Sequence, residues 1–301
     1  MYFKVYLLLA HKKPEQLQQL ITLLQDGRSI FFVHVDKKVA INQFNALSQL
    51  DVCFFVRQRE AGRWGGFGIV QGTLNGMNEI KDYMKQNYPS CQYHCIVLSG
   101  EDMPVKNNTY IHDYLKNKQD FSFLNHWSLP YANWWDGGLF RFKSLYCFDY
   151  TKHRQLNQWL NTFVKKFRLT FLLPLNRLKS VYPNLKLFGS SQWMILSKSH
   201  MEMLCEETKD FKKLRQIFKT VLLPDETFLV TYSYNFLNLG KDVLKNVKTH
   251  LIIFKGDKNN PEYLSVSEIE TFQDENTLFA RKFDSMKNGE ALNYLLNKLN
   301  P

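Results

Sequence analysis

The chain has 301 residues, of which 45% are hydrophobic and 15% aromatic, enough for a large buried core and the opposite of a disordered composition. It carries 39 Lys and Arg against 28 Asp and Glu, a formal charge of +11, and such a surplus favours anionic partners: nucleotides, nucleic acid or an acidic membrane. Five scattered cysteines, Cys53, Cys91, Cys95, Cys147 and Cys205, do not make a disulfide framework, and Cys91-x-x-x-Cys95 has no second pair to complete a zinc site.

The opening run, MYFKVYLLLAHKKP, is too short to span a membrane and no small-residue cleavage site follows it, so it reads as a first core strand. FKVYLLLA and IFFVHVD are near-continuous apolar runs, as expected of strands buried on both faces. Between them, Pro14 marks a helix entry and Gly27 an exit, with Leu17, Leu20, Ile21 and Leu24 on one face. DVCFFV is a third strand. Val70, Leu74, Met77, Lys81 and Met84, with Ile80 filling the stripe, predict an amphipathic helix over 68–86. YHCIVLSG is a fourth strand, and this alternation implies a parallel sheet with right-handed crossovers.

The middle of the chain changes character. Residues 126–151 are rich in Trp, Tyr, Gly and Phe, including YANWWDGGLFRF. Residues 151–179 hold Lys152, Arg154, Lys165, Lys166, Arg168, Arg177 and Lys179 with no acid, interleaved with Trp159, Phe163, Phe167 and Phe171. Two readings stand there: contact with an anionic membrane surface, or a basic solvent face over a core-packed helix. A strand (WMILS), helices around 199–219 and 225–236, another strand (HLIIF) and a helix from about 285 complete the chain. With no repeat, low-complexity tract or linker, one domain with an insertion is expected.

The usual dinucleotide and phosphate-loop signatures are absent. GRWGGFG at 62–68 is Gly-rich and precedes a helix; Gly65 and Gly66 either let backbone approach a ligand or form a tight loop packed under Trp64. Eight histidines include no His-Glu-x-x-His and no His-x-His, which argues against a catalytic zinc. Asp36, at the end of a strand, either bonds a ribose or base or caps the next turn. LSGEDMPVK places Glu101 and Asp102 side by side after a strand, and adjacent carboxylates on extended chain point to opposite sides, so they do not easily share a metal. LPDETF reads as a helix start with Asp225 and Glu226 in the first turn. In LFARKFD, Arg281 and Lys282 lie between two phenylalanines.

HVDKK, RWGGFGIV, LSGEDMPVK, GSSQWMILS, LPDETF and LFARKFD, in that order and spacing, resemble the Core-2/I-branching β-1,6-N-acetylglucosaminyltransferases and peptide O-xylosyltransferases of glycosyltransferase family 14. The resemblance runs from about residue 3 to 284 and is thin across 126–184. It implies an α/β, GT-A-like nucleotide-sugar-binding fold with a mostly parallel central sheet. Residues 1–125 would form a nucleotide-binding half, 126–184 a variable acceptor-side insertion, and 185–301 a catalytic and diphosphate-binding half. It also implies an inverting transferase that moves a GlcNAc- or xylose-like sugar from a UDP-sugar to a glycan or lipid-linked oligosaccharide acceptor, with no metal or other cofactor. By match to the family motifs, Glu226 is the catalytic base, Arg281 and Lys282 hold the diphosphate, and Asp36 contacts the nucleotide. Asp102, Gln192, Trp193 and Trp64 line the sugar and acceptor side. Some members carry an acid at the position of Gln192; an amide cannot take a proton, so the base assignment moves to Glu226. Asp102 is expected to face the donor sugar or acceptor, with Glu101 turned away or shaping the turn.

The residue types suit this chemistry. One-step inversion needs a base to deprotonate the attacking hydroxyl, and fixed cations can stabilise the charge that develops on a leaving diphosphate. Two other classes compete: an inactive carbohydrate- or nucleotide-binding relative, which retention of Glu226, Arg281 and Lys282 opposes, and a nucleic-acid binder, for which no recognition motif is present. A cytoplasmic location, peripheral on the inner face of the membrane, is expected.

Overall fold

The computed structural model describes residues 1–239, 243–254, 261–272 and 274–299. Strand β1 (Tyr2–Ala10) lies at the centre of the main sheet, with β2 (Ser29–Val35) on one side and β4 (Gln92–Ser99) on the other, both parallel to it. β3 (Cys53–Phe55) extends the sheet in parallel beyond β2. On the far side, β9 (Ile195–Ser197) is antiparallel to β4, and β6 (Ser122–Phe123) and β10 (Leu244–Lys245) follow it, giving seven strands in the order β10-β6-β9-β4-β1-β2-β3.

The apolar run of β1 follows from burial on both faces. Val5 and Leu7 enter one core, packed beneath α2 (Gly68–Asn87), α6 (Lys198–Leu204), α7 (Lys209–Phe218) and α8 (Phe228–Phe236). Tyr6 and Leu8 enter a second core, covered by α1 (Pro14–Leu24), α3 (Asn108–Lys116) and α10 (Gly289–Leu299). All four apolar residues assigned to the inner face of α1 are buried, and Gly27 has the positive φ (+70°) that lets the chain turn back into β2.

A smaller sheet carries much of the functional geometry. Its central strand, β12 (Phe279–Arg281), pairs antiparallel with β5 (Asp102–Pro104) and parallel with β11 (His250–Ile252). The register sets Arg281 opposite both Asp102 and Ile252. A third pairing, β7 (His126–Ser128) against β8 (Phe188–Ser190), leads the middle segment back to the site. A side chain at Gly189 would meet the rings of Trp127 and Trp134, so that close crossing needs glycine.

Three expectations change. Pro224–Glu226 form one isolated 3₁₀ turn; Thr227 leaves helical geometry (φ −139°) and α8 starts only at Phe228, so Asp225 and Glu226 are not in an α-helical first turn. The last helix begins at Gly289, not 285. Within 151–179, α4 (Arg154–Lys166) is not core-packed through its rings: Trp159, Phe163, Phe167 and Phe171 are all exposed.

The loop before α2 is set against that helix by close backbone contact. A Cβ at Gly68 would stand 2.0 Å from the carbonyl oxygen of Ala61, and backbone cannot yield as a flexible side chain does. Gly68→Ala is therefore expected to cost about 1–3 kcal/mol in denaturant unfolding, and to displace the 61–68 loop with Trp64. Parent-like stability would mean that the loop is not seated against the helix as described.

Candidate active site

Two joined cavities lie beside the C-terminal ends of the parallel strands, where open α/β sheets commonly hold ligands. The first, about 450 Å³, is lined by Leu9 and Ala10 of β1, His34 and Asp36 from β2, and Ser99 and Glu101 after β4. The second, about 430 Å³, is lined by Glu226, Asp225, Trp127, Trp134, His250 and Lys282 among others. Trp64, Ile69, Gln192, Trp193 and Arg281 line both and form the boundary between them.

Asp36 takes the capping role foreseen for it and also stands on a cavity wall. Its Oδ1 accepts from the Lys38 amide at 2.8 Å, capping the turn that follows β2, and its Oδ2 accepts from the Gly62 amide at 3.0 Å. It thereby ties the Gly-rich loop to the sheet while lining the first cavity. Gly65 has φ +71° whereas Gly66 does not have positive φ, so only the first uses glycine's freedom. Trp64 is half-exposed and stands in both cavity walls, not over a packed loop alone.

The two adjacent acids do point apart, but in the reverse sense to the expectation. Asp102 is fully buried and lines neither cavity. It accepts from the Ser99 amide and lies 3.5 Å from Arg281 Nε. Glu101 is the acid on the cavity wall, paired with Lys12 at 2.8 Å and Lys282 at 3.2 Å. The reason is the strand register: β12 claims the inner side of β5 for Arg281, and Asp102 is the residue opposite it. Burial pushes both carboxylates up. At Asp102 it outweighs Arg281, whereas at Glu101 the two lysines prevail and hold the group below the ordinary range.

Arg281 packs its guanidinium 4.1 Å from the Trp193 ring, and among the described residues its Nε and Nη1 have no hydrogen-bond partner. Lys282 and Lys12 add positive charge on the same side. Nearby His250 is buried, with Nε2 lacking a partner among the described residues, and burial together with Arg281 holds it neutral. Among the described residues, no group of three or more His, Cys, Asp or Glu side chains gathers as metal ligands would.

Across the second cavity, Glu226 Oε2 accepts from Arg141 Nη2 at 2.6 Å. Arg141 is buried and stacks on Trp134, 3.7 Å from the ring. This arginine was not among the residues singled out from sequence. It lies in the aromatic stretch YANWWDGGLFRF, where nothing in the local pattern marks a partner 85 positions away. Asp225 adjoins Glu226, and its Oδ1 has no hydrogen-bond partner among the described residues. Burial raises both carboxylates and Asp225 raises Glu226 further, against the opposing pull of Arg141. The structure thus brings Glu226, Gln192, Trp193, Trp64, Arg281 and Lys282 to one cavity, places Asp36 in the adjoining one and leaves Asp102 beneath the floor.

A mostly parallel sheet with these cavities at its strand ends is a GT-A-like fold of the glycosyltransferase class. The chain belongs to the Core-2/I-branching enzyme family, whose model matches residues 5–271. Among curated proteins it is similar to human probable β-1,3-galactosyl-O-glycosyl-glycoprotein β-1,6-N-acetylglucosaminyltransferase 7, 25% identical over 75% of this chain and 48% of the relative. It is also similar to human xylosyltransferase 2, 23% identical over 96% of this chain and 33% of the relative. The chain therefore spans a half or a third of the length of these relatives.

The buried position of Asp102 has a direct consequence. Asp102→Ala would leave Arg281 without its counter-charge and the Ser99 amide without its acceptor. Unfolding of the protein without ligands should then show a loss of roughly 3 kcal/mol. A variant as stable as the parent but defective only in ligand binding would return Asp102 to the ligand-contacting set.

Proposed function

We propose that the chain is an inverting glycosyltransferase that moves a GlcNAc- or xylose-like sugar from a UDP-sugar to a hydroxyl of a glycan acceptor, without a metal ion. The observation that carries this reading is a carboxylate, Glu226, steered by a buried arginine in the same cavity as two cations, Arg281 and Lys282. The names of the relatives suggest the sugar classes. The first cavity, at the strand ends, suits the nucleoside, with Asp36 on its wall. Trp127 and Trp134 offer flat apolar faces for a sugar ring on the acceptor side. This assigns the acceptor to the 126–184 segment and the nucleotide to the first half of the chain.

The reaction proceeds in one displacement. Glu226 takes the proton of the acceptor hydroxyl as its oxygen attacks the anomeric carbon. The bond from that carbon to the diphosphate oxygen breaks on the opposite face, and the electron pair leaves with the diphosphate. Arg281 and Lys282, both on the cavity wall, stabilise the charge that accumulates there. Arg141 occupies one oxygen of Glu226 and fixes its plane, leaving Oε1 for the hydroxyl. The raised pKa of the Asp225–Glu226 pair makes Glu226 a stronger base than an exposed carboxylate.

Incubation with labelled UDP-GlcNAc, UDP-xylose and related donors, with glycan acceptors, tests the activity directly. Glu226→Gln keeps the shape and the Arg141 contact, and should lower turnover at least ~10²-fold with donor binding nearly unchanged. Near-normal turnover would move the base to Asp225 or another acid. Because the base works deprotonated and its pKa is raised, activity should fall as pH drops through an inflection above the ordinary glutamate range. An acid limb at the ordinary value would contradict a base whose pKa its surroundings raise.

Transfer should survive EDTA and gain little from Mg²⁺ or Mn²⁺. Replacing both Arg281 and Lys282 with Ala should weaken donor binding and slow transfer together, since charge-assisted hydrogen bonds contribute roughly 1.5–3 kcal/mol each. Loss of activity in EDTA, restored by Mn²⁺, would overturn the assignment of the leaving-group role to these cations.

A further inference from the structure

Helix α4 is attached to the protein in an unusual way. Its inner contacts are largely polar: Asn157 exchanges hydrogen bonds with the Phe148 amide and carbonyl, and Asn161 does the same with Leu145. Only a small apolar cluster, Val164 with Leu145 and Leu173, lies beneath it. The larger apolar side chains point outward. Leu156, Trp159, Phe163 and Phe167 recur at helical spacing and are exposed, Trp159 at 63% and Phe167 at 56%. Phe171, 64% exposed, and Leu172 continue the patch beyond the helix. Trp159 stacks on Phe163 with centroids 5.8 Å apart, and Phe163 lies 4.5 Å from Phe167, so the rings form one surface. A solvated helix does not need such a stripe.

The charged residues of this segment are all of one sign. Lys152, Arg154, Lys165, Lys166, Arg168, Arg177 and Lys179 fall within 151–179, which has no acid. Among the described residues no helix is long and apolar enough to cross a membrane. An exposed aromatic stripe bordered by cations is the chemistry of a helix that lies in the headgroup region of an anionic bilayer. A neutral or basic protein partner would leave these seven charges uncompensated.

We infer that the outer face of α4 and the turn through Phe171 and Leu172 docks on an anionic membrane surface. The same segment leads to the site, because Leu145 and Phe148, which Asn161 and Asn157 clamp, lie on the stretch of chain that runs on from Arg141, the partner of Glu226. Docking would therefore hold the acceptor side of the cavity near the bilayer. The docking itself does not depend on the proposed glycosyl transfer, and its test uses no substrate.

The test is co-sedimentation of the full chain with phosphatidylglycerol-rich vesicles and with pure phosphatidylcholine vesicles, at low and high salt. Recovery should be strong with the anionic vesicles alone and weaken with salt. Two variants should each lower it about tenfold or more: Trp159→Ser with Phe163→Ser and Phe167→Ser, and Lys165→Gln with Lys166→Gln and Arg168→Gln. All six side chains lie on α4 or just beyond it, and both variants should melt with the parent; if the ring variant does not fold, the charge variant decides. Equal recovery on both vesicle types, or none on either, would overturn the inference. So would concentration-dependent self-association, without vesicle binding, that the ring variant abolishes, since the face would then cover a second copy.

Discussion

Arg281 is held over Asp102 by the pairing of β12 with β5, and the placement of the polar groups on that side of the site follows from it. A guanidinium this deeply buried needs a counter-charge, and a carboxylate with no exposure needs a cation. Each partner justifies the burial of the other. The geometry is still not that of a closed bidentate pair: the contact is 3.5 Å, and two buried guanidinium nitrogens have no hydrogen-bond partner among the described residues. Asp102 therefore fixes Arg281 in place through a single ionic contact. The strand continues directly into Lys282, which meets Glu101, the other member of the acidic pair, so one register positions four charges.

This arrangement marks the limit of what the sequence discloses. The strands β1, β2 and β4 and the helices α1 and α2 are legible because each is long and its apolar pattern has a local cause: two-sided burial for the strands, one-sided for the helices. In the small sheet only β11 is legible, as the apolar run HLIIF, and β5 and β12 are different. Strands of three residues carry no periodicity, and their pairing joins segments far apart in the chain. Alternation correctly separates Glu101 from Asp102, but which of them faces the cavity depends on what lies across the strand. Arg141 illustrates the same point, since its partner lies on a turn of the other half of the chain. For 151–179, local pattern gives an amphipathic helix but not which side is inward. Two asparagines decide that, and polar clamps are invisible to a reading based on apolar spacing.

The Gly-rich loop shows how backbone and function are linked without a catalytic side chain. Gly68 allows the Ala61 carbonyl to sit against the start of α2, and Asp36 binds the Gly62 amide from the other side. Between these anchors the loop presents Trp64 to both cavities. The motif that is weak evidence for a ligand by itself becomes informative once its two fixed ends are known.

The acids of the site fall into two electrostatic classes, and their difference bears on their roles. Glu101 lies between Lys12 and Lys282, which overcome its burial and keep it ionised. It cannot serve as a proton reservoir near neutral pH; its effect is to orient two cations. Glu226 has one close cation, but burial and a neighbouring carboxylate oppose it. At a few ångströms and an effective dielectric near 20, a single charge pair contributes about 4 kcal/mol, so burial and a like charge together are of the right size to cancel it. The outcome is a carboxylate fixed by an arginine yet not locked into its ionised form. Environments that push carboxylate pKa values apart in this way separate structural acids from candidate proton carriers. Asp102 and Asp225 are raised as well, so only together with position does the shift single out Glu226, which lines the second cavity and meets Arg141 whereas Asp102 lines neither cavity.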